Sequence, residues 1–189
     1  MFKAILKEYQ RHGRSFFSGG FWVTITYRYG AWSLRQKFRP WRALNTIVYL
    51  FFHRVSCVLT GVYIDRSTTI GADLHLIHPF MIQIHPSAEI GDRCGIMHGV
   101  TLGSDGKGVP TIGNDVFIGC GATVLGGVKV GDNARIAANS LVISDVPSGS
   151  AAMGVPARVT PNLMGLRPKS SKNASEGHHV AASKISAIS

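Results

Sequence analysis

Acidic residues are nearly absent from the first sixty positions of this chain. Glu8 is the single acid there against ten lysines and arginines, whereas residues 61–189 hold nine acids against ten cations. Of the overall charge of +10, the N-terminal segment therefore carries +9. Cysteine is scarce as well. Cys57, Cys94 and Cys120 are odd in number and at no spacing that suits a disulfide framework or a metal quartet, so a reducing cytoplasm is the expected home and no metal site is expected. Long apolar runs are missing: Ile47–Phe52 is too short to span a bilayer. The start of the chain lacks the basic head, long apolar core and cleavage site of a signal peptide, so secretion is not indicated. No nucleic-acid-binding motif accompanies the cations, and nucleic acid is not an expected partner.

What the basic segment has instead is aromatic side chains, nine of them from Phe16 to Trp41. Apolar periodicity predicts helices over residues 3–12, 21–38 and 41–57, with breaks at Gly19-Gly20 and Pro40. Two roles are open for residues 1–60. One is a helical cap on the rest of the chain and on neighbouring subunits. The other is a basic, aromatic surface in peripheral contact with an anionic membrane.

Residues 61–147 carry a different rhythm. Aliphatic residues recur every six positions at Ile64, Ile70, Leu76 and Ile82, again at Ile90, Ile96 and Leu102, and again from Ile112 through Ile118, Val124, Val130 and Ile136 to Val142. Two extra residues intervene between Ile82 and Ile90, and four between Leu102 and Ile112. A period of six suits neither a helix nor an ordinary strand. It suits a solenoid in which each hexad is a short strand plus a corner, and three hexads close one triangular coil. Glycine follows the aliphatic residue at Gly71, Gly91, Gly103, Gly113, Gly119 and Gly131, and the second inward position is small or β-branched, as at Thr68, Val116, Ala122 and Ala134. A cap segment is expected over 148–167. From 168 to 189 the chain is too poor in apolar residues to pack, and its His178-His179 pair is assigned no site.

Polar residues that interrupt the rhythm point to a site. His78 and His98 lie three hexads apart at the same offset, and Cys120 continues the column, so the three should stack on one edge at the strand spacing of about 4.8 Å. His75 lies nearby, and His85 falls in the expected two-residue bulge. An imidazole, which titrates near neutrality, can take the proton of an attacking hydroxyl, and a protonated imidazole or backbone N–H groups can receive a developing oxyanion. A non-catalytic, purely structural solenoid scaffold is the bland alternative.

The hexads resemble those of the hexapeptide-repeat acyltransferases, a resemblance that implies a left-handed parallel β-helix. The stretch from Gly61 to Val159, with IGADLHLIHPFMIQIHPSAEIG, IMHGVTLG, VFIGCGATVLGG and the ending GVPARV, is similar to the serine acetyltransferase family. That resemblance implies acetyl-CoA as co-substrate and a homotrimer with sites shared between subunits. It implies His78 as general base, His98 at the acceptor or thioester carbonyl, and coenzyme A held around Ser104, Lys107, Cys120, Arg135, Ala138 and Arg158.

Departures from the family pattern steer the acceptor. Tyr63 stands where the family has an Asp that orients the catalytic His, leaving Asp65 as the nearest carboxylate. Gly108-Val109-Pro110-Thr111 brings no charge where the family's loop has Asp-Arg-His, so Arg93 is the nearest cation for an amino-acid carboxylate. These features resemble the exopolysaccharide O-acetyltransferases of the colanic acid type. The expectation is an all-β protein, a left-handed parallel β-helix with a short helical N-terminal segment. It would acetylate a hydroxyl of a sugar or exopolysaccharide precursor in the cytoplasm, at the inner membrane face if residues 1–60 touch lipid. Serine O-acetylation for cysteine biosynthesis is the alternative.

Overall fold

The computed structural model describes residues 2–11 and 19–161. The expected C-terminal tail, with His178 and His179, lies outside the described residues. Three helices come first: α1 (Phe2–Arg11), α2 (Gly19–Leu34) and α3 (Arg39–Thr60). The solenoid follows. Its first coil is β1 (Tyr63–Ile64), β2 (Thr69–Ile70) and β3 (His75–Ile77), and the second is β4 (Gln83–Ile84), β5 (Glu89–Ile90) and β6 (Gly95–Met97). Next come β7 (Thr101–Gly103), β8 (Thr111–Ile112) and β9 (Phe117–Ile118), then β10 (Thr123–Leu125), β11 (Lys129–Val130) and β12 (Arg135–Ile136). β13 (Leu141–Val142), β14 (Ala151–Met153) and β15 (Arg158–Thr160) end the described chain.

Strands of successive coils pair in parallel and build three faces. Face A stacks β1, β4, β7, β10 and β13; face B stacks β2, β5, β8 and β11; face C stacks β3, β6, β9, β12 and β14, with β15 folded back antiparallel. The cap expected after residue 147 is thus partly an extension of face C. Each hexad sends two side chains inward, the strand aliphatic and the residue two before it. Val62 with Ile64, Cys94 with Ile96, Val116 with Ile118 and Ala134 with Ile136 are all buried, and they form one continuous core cluster. Apolar burial of this kind is the dominant favourable term in folding.

That double inward pattern corrects one register. β4 pairs Ile84, not Ile82, with Ile64 below and Leu102 above. Both isoleucines are buried, so hydrophobicity alone does not say which one occupies the strand position. The two extra residues therefore fall between Leu76 and Ile82, at the corner that begins with His78. His85 sits in an ordinary corner, where its Nδ1 accepts from the Ser87 N–H at 3.1 Å.

The helices close the open end of the first coil. Val23 and Tyr27 of α2 belong to the solenoid core cluster, and Tyr27 Oη donates to the Thr68 carbonyl at 2.6 Å. Arg28 donates to the Ile70 and Gly71 carbonyls and pairs with Glu8 of α1 at 2.7 Å, with both side chains largely out of water. α2 meets α3 at Gly30, where an added Cβ would collide with the Tyr49 ring. Pro40 lies in the first turn of α3, where its missing N–H costs nothing, and Gly61 ends the helix at φ 65° with its N–H on the Cys57 carbonyl. The short apolar run Ile47–Phe52 is thus embedded in a 22-residue helix, long and apolar enough by length and composition to cross a membrane.

Candidate active site

The corner between faces C and A carries the expected column. β3 pairs with β6 through Ile77 and Met97, and β6 with β9 through Ile96 and Ile118, so His78, His98 and Cys120 follow at matching positions, with Ala138 after β12. Backbone bonds bind these corners together: the Gly121 N–H donates to the His98 carbonyl at 2.9 Å and the Asn139 N–H to the Cys120 carbonyl at 2.8 Å. Both imidazoles are exposed, and among the described residues neither has a hydrogen-bond partner in the chain. His78 adopts φ 50°, a left-handed conformation that six other non-glycine residues of this solenoid share, Arg93, Asp115 and Asn133 among them. Hexad spacing hid the two inserted residues at this corner and made His78 an ordinary corner residue.

Above His98 the wall of the column is low because side chains are missing. A Cβ on Gly119 would lie 2.7 Å from the Ala138 nitrogen, so that coil accepts only glycine there. A flat ledge of Cys120, Gly121 and Ala138 results. Arg135 stands outward on face C with its guanidinium 5.6 Å from the Phe117 ring centroid, and Arg158 opens β15 at the end of the same face. All three cysteines are free.

Other expected site residues sit on a different edge. Ser104 and Lys107 lie in the four-residue insertion at the corner between faces A and B. There Asp105 Oδ1 accepts from the Lys107 and Gly108 N–H groups at 2.8 and 2.9 Å, which holds the Asp105 carboxyl below its ordinary pKa. The loop leans on the next coil, with Gly108 against Gly127. Within one chain, face A separates this loop from the histidine column. The outward residues Tyr63, Gln83 and Thr101 of that face, with His85, line a shallow cavity of about 230 Å³. Gln83 escaped the sequence reading because the register around Ile82 and Ile84 was ambiguous.

Two expectations are corrected. Asp65 does not orient the His78 of its own chain: it sits at the A–B corner, at the other end of face A, and its Oδ1 accepts from the Ser67 N–H and hydroxyl at 2.7 and 2.6 Å. The position flanking the His78 corner on β1 belongs to Tyr63, whose N–H donates to the Ile82 carbonyl. Arg93 is not a free cation for an acceptor carboxylate. It lies at the B–C corner and binds Asp115 through two hydrogen bonds of 2.8 and 2.5 Å. Among the described residues no group of three or more His, Cys, Asp or Glu is placed to hold a metal ion.

A parallel solenoid of hexads with a histidine column along one edge defines a hexapeptide-repeat transferase, and residues 110–144 match the family model described as bacterial transferase hexapeptide (six repeats). Relatives narrow the class. The serine acetyltransferase of Bacillus subtilis (strain 168) is 34% identical over 152 residues, 77% of this chain and 68% of that protein. That of Synechococcus elongatus is 38% identical over 144 residues, 74% of this chain and 56% of that protein. A soybean serine acetyltransferase complexed with serine superposes with a TM-score of 0.72 at 29% identity, over 84% of this chain and 68% of that one. A serine acetyltransferase complex with CoA superposes at 0.66 and 30% identity, over 77% of this chain and 58% of that one. The chain belongs to the serine acetyltransferase family. It spans 56% and 68% of the length of the Synechococcus elongatus and Bacillus subtilis relatives.

Proposed function

We propose that this chain transfers the acetyl group of acetyl-CoA to a hydroxyl, with L-serine as the acceptor. The observation that carries the reading is the in-register pair His78 and His98 on an otherwise repetitive edge. Family membership and the relatives solved with CoA and with serine support the substrates. The sugar acceptor expected from the departures in sequence finds no support among these relatives. On its side stands one local observation, the uncharged Gly108–Thr111 stretch.

His78 removes the proton of the acceptor hydroxyl as its oxygen attacks the thioester carbonyl carbon. The carbon–sulfur bond breaks, and the same proton passes from the imidazolium to the departing thiolate sulfur, so the ester and the free thiol leave with His78 neutral again. His98, one coil above, donates to the developing oxyanion in this reading. The ledge of Gly119, Cys120 and Ala138 lets a thin flexible chain lie against the coil, and Arg135 and Arg158 on the adjoining face suit phosphates. Ser104 and Lys107 face a different edge of the same chain. A neighbouring copy that presents its A–B loop to this column completes the set, which favours the homotrimer with shared sites. Use of acetyl-CoA favours the cytoplasm.

Thiol release from acetyl-CoA, followed with L-serine in one series and with sugar acceptors in another, tests the reading. Turnover on serine should fall roughly 10²- to 10⁴-fold in His78→Ala, the usual contribution of a general base. Turnover that survives this substitution would sink the catalytic assignment. Turnover on sugars alone, dependent on His78, would keep the acetyl transfer and replace the acceptor.

A further inference from the structure

Among the described residues, α3 carries more exposed large apolar side chains than any other element. Trp41, Leu44, Phe51, Val55 and Val58 recur at three- and four-residue spacings that keep them on one side of a helix, with Ile47 beside them. They face water: Ile47 is 65% exposed, Phe51 64% and Val58 79%. The opposite side is closed. Asn45 and Tyr49 are buried, Tyr29 Oη donates to Asn45 Oδ1 at 2.5 Å, and Arg66 Nη1 donates to Thr46 Oγ1 at 3.1 Å. Monomeric proteins rarely leave a contiguous apolar strip of this length bare unless it is an interaction surface.

Charge selects the occupant. α2 and α3 contain no Asp or Glu, while Arg39, Arg42 and Arg54 on α3 and Arg35 and Lys37 just before it are exposed. None of the five takes part in an ion pair among the described residues. An apolar strip flanked by the unpaired Arg54, with Arg35, Lys37 and Arg39 clustered at the N-terminal end of the helix and Trp41 and Phe51 among its side chains, is complementary to lipid acyl chains beneath anionic headgroups. We infer that α3 docks this chain on an anionic phospholipid surface, lying in the membrane plane with its bare face in the acyl boundary and with Arg54 and the cations at its N-terminal end at the phosphates. A crossing orientation is excluded by the docked face. It would tear α3 from α2 and from Arg66, and would carry Arg54 into hydrocarbon. The inference is independent of the acetyl-transfer reading.

Flotation of the full chain with vesicles of phosphatidylcholine, alone or with phosphatidylglycerol added, tests it. Partition onto the anionic vesicles should exceed that onto the neutral ones by roughly tenfold or more and fall on adding salt, as expected of several cations at a charged surface. Phe51→Glu with Val55→Glu should abolish flotation on both, and Arg39→Glu with Arg54→Glu should remove the preference for the anionic ones. Because these side chains are exposed, circular dichroism and molar mass from light scattering should match the parent protein. No flotation by the parent protein overturns the inference, as does equal flotation on neutral vesicles. A Phe51/Val55 variant that floats normally but changes molar mass shows that the strip is covered by a second copy of the chain instead.

Discussion

The solenoid and the helical segment solve the same problem in opposite ways. Every coil hides its aliphatic residues from water by winding around them, so Ile96, Ile118 and Val124 are fully buried with only their own chain as cover. α3 is richer in large apolar residues, yet it buries only Asn45 and Tyr49. A repeat that closes on itself is self-sufficient, whereas a helix has two sides and needs a neighbour for each. α2 provides one neighbour. The contrast also divides function, since the histidine column belongs wholly to the solenoid and the unpaired cations of the helices lie away from it.

The joint between the two regions is where the contrast is easiest to break. Arg28→Ala takes from the buried Glu8 its Arg28 partner and removes the bonds to the Ile70 and Gly71 carbonyls. Chemical denaturation should show a loss of about 3–5 kcal/mol, as for other buried pairs deprived of one partner. A smaller loss would mean that the helices are seated mainly by apolar contact. Next in size, Ile118→Ala inside the solenoid should cost about 2–5 kcal/mol by the same measurement, while Ile47→Ala on the bare face of α3 should stay within about 0.5 kcal/mol. Equal losses at the two isoleucines would erase the distinction between covered and uncovered apolar residues.

Tyr27→Phe removes one hydroxyl from the joint and nothing else. Its bond to the Thr68 carbonyl at 2.6 Å should be worth about 1 kcal/mol. The smallest effect is a pH dependence at His53 of α3, which stacks on Tyr49 and whose pKa is lowered by burial, with nearby Asp65 acting in the opposite sense. A base with a depressed folded pKa favours the folded state while neutral. Its contribution is present above the ordinary histidine range and is lost as pH falls from there through the folded value. The melting temperature should therefore decline on acidification across that window, and His53→Phe should flatten the decline. An unchanged slope in the variant would place the acid sensitivity elsewhere.

Much of the architecture was legible in the residues because the solenoid is periodic. Its inward positions repeat, so the coil, the long insertion at 104–110 and the alignment of His98 with Cys120 all follow from counting. Counting fails where two inward candidates adjoin, as at Ile82 and Ile84, and that ambiguity moved the short insertion away from His78. The helices were foreseen with ends shifted by a few residues. Pro40 was read as a break between helices and instead sits inside the first turn of α3, because proline is tolerated where the helix has no N–H partner to lose.

The order of residues alone specifies the three-faced coil, the buried aliphatic ladder, the concentration of positive charge before residue 61 and the histidine column. These are consequences of spacing and composition, which need no knowledge of distant contacts. Only the tertiary structure decided that His78 opens the insertion at positive φ, that Asp65 and Arg93 are held at other corners by Ser67 and Asp115, and that face A parts the Lys107 loop from the histidines. It alone decided that α3 keeps a bare apolar side. Each of these depends on which partner a side chain meets across the fold, and a polar or apolar group takes its role from that partner more than from its place in the chain.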